Sequence, residues 1–308
     1  MNAEFLTALH KLPDSIQVFF EQEFPKNSFK ASFTAEQWLR LQSVSELDDT
    51  QLKLSLLPLA ASYSVAPLSN FYVGAIVEAL SGNIYFGANM EFHNVGIANT
   101  VHAEQSAITH AWSRGEKGIR NVTINYSPCG HCRQFMNELS NAETLVVQLP
   151  DHKPQTLHQF LPDSFGPKDL DQPEGLMDAS TLKVNYNSGS ALIRQAVESA
   201  AKSYAPYTHS HSGVALKVTS GDIFHGMYAE NAAFNPSLPA IQVALIQLNM
   251  AGEKITNIQE ACLAEVKGST ISYLAECQAL LEQINPDISF EYVVVTAEVS
   301  RKTQGACA

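Results

Sequence analysis

His102-Ala103-Glu104 and Pro128-Cys129-Gly130-His131-Cys132 are the two stretches on which the reading of this chain turns. A histidine, a carboxylate two residues further on and a Cys-x-x-Cys pair are the parts of a catalytic zinc site. Three protein ligands (His102, Cys129, Cys132) leave the fourth tetrahedral position open to water, which separates a hydrolytic zinc from a closed structural one. Cys129 and Cys132 are three apart at a predicted helix start, so their sulfurs fall on one face. The unpaired N–H groups of a first turn also favour the thiolate form that binds metal. Two thiolates and a neutral imidazole balance the charge of Zn²⁺, and such a site can lower the pKa of its water toward ~7. Glu104 is placed to exchange protons with that water. Alone, Cys-x-x-Cys equally fits a redox pair or half of a zinc ribbon. A redox pair does not need His102 and Glu104, and a ribbon needs a second Cys pair that this chain lacks. For Glu104 the competing reading is a helix-capping glutamate. His131 points off the ligand face, and His93, His110, His209, His211 and His225 have no partner at ligand spacing.

With 308 residues, 45% of them hydrophobic, the chain has material for about two domains with buried cores. A net charge of −12 and a pI near 5.2 work against binding nucleic acid, whose non-specific affinity comes from Lys and Arg displacing counterions. A free small molecule is the better substrate class. No segment approaches the ~18 uninterrupted apolar residues of a membrane span, so no membrane partner is expected. The opening residues mix Glu4, His10, Lys11 and Asp14 among apolar ones and do not resemble a secretory leader. The expected location is cytoplasmic. Cys262, Cys277 and Cys307 are scattered and predict two core thiols and one in the tail, with no disulfide framework.

From Phe71 to about Leu149 the pattern is β-β-α-β-α-β, which places the chain in the α/β class. Residues 71–77 and 83–86 flank the turn Ser81-Gly82 and predict a hairpin. A helix starts at His102, carries Ala103, Ala107, Ile108 and Ala111 inward and ends before Gly115. Residues 122–126 predict a buried strand, a second helix opens at Pro128, and residues 144–149 predict the next strand. Residues 1–59 have helix-like apolar spacing, giving a small N-terminal helical segment, and residues 60–150 form the zinc domain. Residues 151–184, rich in Pro, Asp and Gly, predict a linker. Residues 185–308 then repeat the pattern. Gly74, Gly82 and Gly87 have the spacing of Gly213, Gly221 and Gly226, and Ile84 matches Ile223. With a two-residue deletion Gln105 meets Gln242, so Pro239-Ala240-Ile241 stands opposite His102-Ala103-Glu104 and the ligand and acid are lost. Chance glycine spacing is the competing reading.

H-x-E followed by P-C-x-x-C is the signature of zinc-dependent nucleobase deaminases. Beyond it, residues 70–75, 86–92, 100–108, 126–139, 165–170 and 228–236 make the chain resemble a cytidine deaminase of the long, two-domain, homodimeric bacterial type, over nearly its whole length. The resemblance implies a duplicated three-layer α/β/α fold with a mixed sheet and one Zn²⁺ per subunit on His102, Cys129 and Cys132. It implies hydrolytic deamination of cytidine and deoxycytidine in pyrimidine salvage, with zinc-bound hydroxide attacking C4 and Glu104 as proton shuttle. Asn89 and Glu91 would bind the ribose hydroxyls, and Phe71 would pack on the pyrimidine. The Ala103 N–H and the Ser127 carbonyl would meet the base. Family members often carry threonine at Ser127, a change that a main-chain role tolerates. Phe165 and Ala232 would approach the partner subunit's active site. Two other readings stand beside this one: a deaminase of cytosine in DNA or RNA, which the acidic charge and the pairing of Asn89 with Glu91 oppose, and a structural zinc protein with a binding role.

Overall fold

The computed structural model describes residues 2–25, 28–178, 181–186 and 189–297; Cys307 lies outside them. Three N-terminal elements, α1 (Ala3–Leu9), α2 (Asp14–Glu23) and α3 (Ala35–Ser45), gather around an aromatic cluster of Phe5, Phe20, Phe29 and Phe33. A fourth helix, α4 (Asp49–Ala61), starts with a reciprocal cap. The Gln51 N–H donates to Asp48 Oδ1 at 2.8 Å and the Asp48 N–H to Gln51 Oε1 at 3.1 Å, satisfying two N–H groups that a helix start otherwise strands.

The first sheet contains β1 (Ser32–Phe33), β2 (Gly74–Ala79), β3 (Ile84–Ala88), β4 (Ile119–Ile124), β5 (Val146–Gln148) and β6 (Gln155–Thr156), in the order β1-β3-β2-β4-β5-β6. Only β4 and β5 pair in parallel, so the sheet is mixed. Its helices include α5 (Ala103–Ser113), α6 (Gly130–Met136) and α7 (Leu157–Phe160). The second sheet, in the order β7-β11-β10-β8-β9, is built from β7 (Val184–Asn185), β8 (Ser212–Val218), β9 (Ile223–Met227), β10 (Ile258–Val266) and β11 (Ser289–Ala297). With it go α8 (Ala191–Lys202), α9 (Ala240–Met250) and α10 (Leu274–Ile284). No helix among the described residues is long and apolar enough to cross a membrane.

The duplication is carried by equivalent contacts. A side chain at Gly87 would place its Cβ 2.1 Å from Ala107 N on α5, and one at Gly226 would lie 2.2 Å from Ala244 N on α9. On the opposite sheet face, a Cβ at Gly74 would meet Ala61 N of α4 at 2.4 Å, and one at Gly213 would meet Ala200 N of α8 at 2.2 Å. Because strand residues alternate faces, the two pairs put a helix on each side of each sheet, the three-layer α/β/α arrangement. Both hairpins turn through a glycine with left-handed φ, +89° at Gly82 and +92° at Gly221. The copies meet through α5 and α9, and the exchange is reciprocal. Gln105 Nε2 donates to the Pro236 carbonyl at 3.4 Å and Gln242 Nε2 to the Asn99 carbonyl at 2.6 Å.

Several boundaries move. The first strand begins at Gly74, because residues 71–73 pair with side chains instead of a neighbouring strand: Ser69 Oγ accepts the Phe71 N–H, Asn89 Oδ1 accepts the Val73 N–H and Asn89 Nδ2 donates to the Phe71 carbonyl. The second helix opens at Gly130 with Cys129 as its N-cap, two residues after Pro128. The strand expected over 144–149 shrinks to β5, since Ala142–Thr144 form a 3-10 turn. A boundary at residue 59 cuts α4, which packs on β2 as α8 packs on β8. The 151–184 stretch is not a bare linker, because it supplies β6 to the first sheet and also α7.

The close approach predicts that Gly226→Ala destabilises the protein by about 1–3 kcal/mol, since two backbones would have to separate. Gly96→Ala, where the added carbon meets nothing closer than 3.9 Å, should stay within about 0.5 kcal/mol. Thermal unfolding checks this: equal midpoints for the two variants would contradict the packing.

Candidate active site

β3 and β4 both pair antiparallel with β2, so they run in the same direction and their carboxyl ends lie together. The chain leaving β3 is steadied by the reciprocal Met90–Val101 backbone pair, at 2.9 and 2.8 Å, and then reaches His102, the N-cap of α5. The chain leaving β4 reaches Cys129, the N-cap of α6. Two helix starts therefore meet at one sheet end, and both present positive dipole ends to an anionic ligand set. His102 Nδ1 lies 3.5 Å from Cys129 Sγ and 3.3 Å from Cys132 Sγ. With Zn–S about 2.3 Å and Zn–N about 2.0–2.1 Å, a tetrahedral N–S edge is about 3.5 Å, so the three donors are spaced for one zinc ion. All three ligand atoms lie within 4.8 Å of one another.

Charge follows the geometry. Hydrogen bonds from Cys132 and His102 pull the Cys129 thiol down to about 3, making it a thiolate. Cys132 is pushed well above its ordinary value by Cys129 and by burial, and a dication would displace its proton. His102 is held up chiefly by Cys129. The Gln105 side-chain oxygen accepts the His102 N–H at 3.2 Å, and Gln105 Nε2 lies 3.2 Å from His131 Nε2. The His131 ring lies 5.4 Å from that of His102, and the clustered ligand atoms are those of His102, Cys129 and Cys132.

A cavity of about 380 Å³ opens beside the triad. Glu104 lines it with only 4% of its surface exposed, and burial raises its pKa. Ala103, Ser127, Phe71, Asn89 and Glu91 line the same cavity, so seven of the expected residues (these five with His102 and Glu104) share one wall with Cys129. Cys132 is fully buried behind them. Asn89 Oδ1 accepts the Val73 N–H and Asn89 Nδ2 donates to the Phe71 carbonyl, each at 2.9 Å. Burial pushes the Glu91 carboxyl up, but hydrogen bonds from Ser69 and from the Leu68 N–H outweigh it and hold the group below the usual carboxylate range. Phe71 and Tyr126 face each other with centroids 4.5 Å apart.

Phe165 and Ala232 do not line this cavity. The Phe165 carbonyl accepts from Gln134 Nε2 at 2.8 Å and Asn137 Nδ2 at 2.9 Å, and the Ala232 N–H donates to Glu138 Oε2 at 2.8 Å. Both are tied to α6 and the residues just after it. Tyr126, Thr100, Val73 and Ser69 line the cavity without having been singled out. Tyr126 had a visible signal, an aromatic as the last residue of an expected strand, while the other three had none.

The cytidine and deoxycytidylate deaminase zinc-binding region matches residues 48–148 and again residues 157–278. The chain is 52% identical to a cytidine deaminase of Aliivibrio fischeri over 92% of this chain and 96% of that one. It is 52% identical to one of Photobacterium profundum over 95% and 99%. A solved cytidine deaminase of Mycobacterium tuberculosis is 30% identical and covers 39% of this chain and 99% of its own, with a TM-score of 0.35. With two matched regions spanning most of its length and relatives 52% identical over 92% and 95% of it, this chain belongs to the cytidine deaminase family.

Proposed function

We propose that the chain hydrolyses cytidine and deoxycytidine to uridine and deoxyuridine plus ammonia, as a zinc-dependent, homodimeric, cytoplasmic enzyme of pyrimidine salvage. The observation that carries this reading is the meeting of His102, Cys129 and Cys132 beside a cavity that also holds Glu104, Asn89 and Glu91. His102 Nδ1 and the two sulfurs hold the zinc. When bound, zinc acts as a Lewis acid that makes water a competent nucleophile near neutral pH. Glu104 moves the protons: its buried carboxylate accepts one from the attacking water, delivers it to ring nitrogen N3, and later helps protonate the departing ammonia. Burial suits that relay, because a carboxylate kept from bulk solvent passes its proton to the substrate and not to water outside.

The remaining residues hold the nucleoside. The Phe71 ring packs on the pyrimidine, with Tyr126 beside it, while the Ala103 N–H and the Ser127 carbonyl meet O2 and the amino group. Asn89 and Glu91 match a sugar diol in donors and acceptors. A carboxylate there repels a nucleotide phosphate, and the cavity volume suits a nucleoside. Exposed Phe165 and Phe234 offer apolar surface for a second subunit, whose active site Phe165 and Ala232 would approach. Free Cys129, Cys132, Cys262 and Cys277 suit a reducing compartment.

A deamination assay on cytidine, deoxycytidine, cytosine, adenosine and a single-stranded oligonucleotide tests the substrate class. Turnover of the first two is expected, and turnover of the oligonucleotide alone would overturn the reading. Glu104→Gln should keep zinc and nucleoside binding but lower kcat by about 10²–10⁴-fold, and near-normal kcat would remove Glu104 from the proton relay. Cys129→Ala should lose zinc by metal analysis; full zinc content would contradict the ligand set.

A further inference from the structure

The turn that carries Phe71 into the cavity passes through a left-handed residue, of a type that tolerates this conformation, in both copies. Asn70 has a left-handed φ of +53°, and His209, at the equivalent place in the metal-free copy, has +55°. In the first copy Glu91 accepts the N–H groups of Leu68 at 2.9 Å and Ser69 at 3.0 Å, together with the Ser69 hydroxyl. Ser69 Oγ in turn accepts the Phe71 N–H at 3.0 Å. In the second copy Glu230 accepts the N–H groups of Tyr207 at 2.8 Å and Thr208 at 3.1 Å, together with the Thr208 hydroxyl. Thr208 Oγ1 accepts the Ser210 N–H at 3.2 Å.

The circuit is the same, while the residues around it have changed. Ser210 stands where Phe71 does, Tyr228 where Asn89 does, and Pro239-Ala240-Ile241 where His102-Ala103-Glu104 do. A circuit that survives the loss of the metal ligands is a device for setting this turn, and in the first copy the turn sets the substrate-facing ring.

We infer that Ser69 is a positioning residue for nucleoside binding: its one hydroxyl donates to Glu91 and accepts from the Phe71 backbone, locking the sugar-facing carboxylate and the base-facing ring to each other. The inference rests on the nucleoside reading of the cavity. Ser69 need not touch substrate, because each of the two groups it joins does.

The test is steady-state kinetics with cytidine on the full-length zinc-loaded protein. Ser69→Ala should raise KM about tenfold or more, because a hydrogen bond to a charged group is lost. Its kcat should change by less than about threefold, since the chemistry is untouched. Ser69→Thr, the residue type of the second copy, should restore KM. Ser69→Cys, which keeps the size but weakens both bonds, should raise KM in the same direction as alanine. A hydroxyl that only supported folding would lower the stability of Ser69→Ala and leave KM alone. Unchanged KM in Ser69→Ala and Ser69→Cys, or a Ser69→Thr variant as impaired as Ser69→Ala, would overturn the assignment. An unsubstituted chain with no cytidine turnover would remove the nucleoside reading itself, and Ser69's role with it.

Discussion

The backbone contact between Gly87 and α5 is the constraint on which the rest depends. A helix seated directly on a strand can come this close only where the strand has no side chain, and here the missing Cβ would lie 2.1 Å from Ala107 N. That contact fixes the height and rotation of α5, and therefore the place of its N-cap, His102. It also buries Glu104 in the first turn of α5. The cysteines arrive from a different strand, so the metal site exists only because β3 and β4 end at the same level of the sheet.

The second copy shows what that architecture does without chemistry. Gly226 and α9 make the same contact, and Glu230 holds the same turn as Glu91. Where Asn89 faces the cavity in the first copy, buried Tyr228 stands in the second, its ring centroid 4.9 Å from that of Tyr273. The catalytic groups have been replaced, while the contacts that make the fold have not. What the copy does instead is support: Gln105 reaches the Pro236 carbonyl, and the Ala232 N–H satisfies Glu138, a carboxylate buried just beyond α6. Tyr204 and Tyr207 complete that carboxylate's hydrogen bonding at 2.8 and 2.6 Å. The helices that carry the metal ligands are thus braced by the other half of the chain, whose described residues hold no such cluster.

Much of this was legible because it depends on local chemistry. The H-x-E and Cys-x-x-Cys spacings are short, and each sits at a helix start that capping and proline already mark. The duplication was legible from three glycines, since both a left-handed turn and a close approach demand that residue. What stayed hidden depends on distance in the fold. Nothing in the apolar spacing of residues 49–61 says that α4 covers β2 and does not belong with α1 to α3. Residues 155–156 have no strand pattern until β5 offers them a partner. Ser69 and Thr100 reach the cavity through turns whose path is set by Glu91 and by the Met90–Val101 pair, contacts that no local window contains.

The central claim is that a histidine and two cysteines from two helix starts hold one zinc ion and leave a fourth position to the solvent side. Zinc K-edge X-ray absorption on the purified protein tests it most directly. The account predicts two sulfurs at about 2.3 Å, one nitrogen at about 2.0–2.1 Å and one further light donor that exchanges with added inhibitor or solvent ligand. Four sulfur donors, or a fourth donor contributed by the protein and indifferent to added ligand, would contradict it.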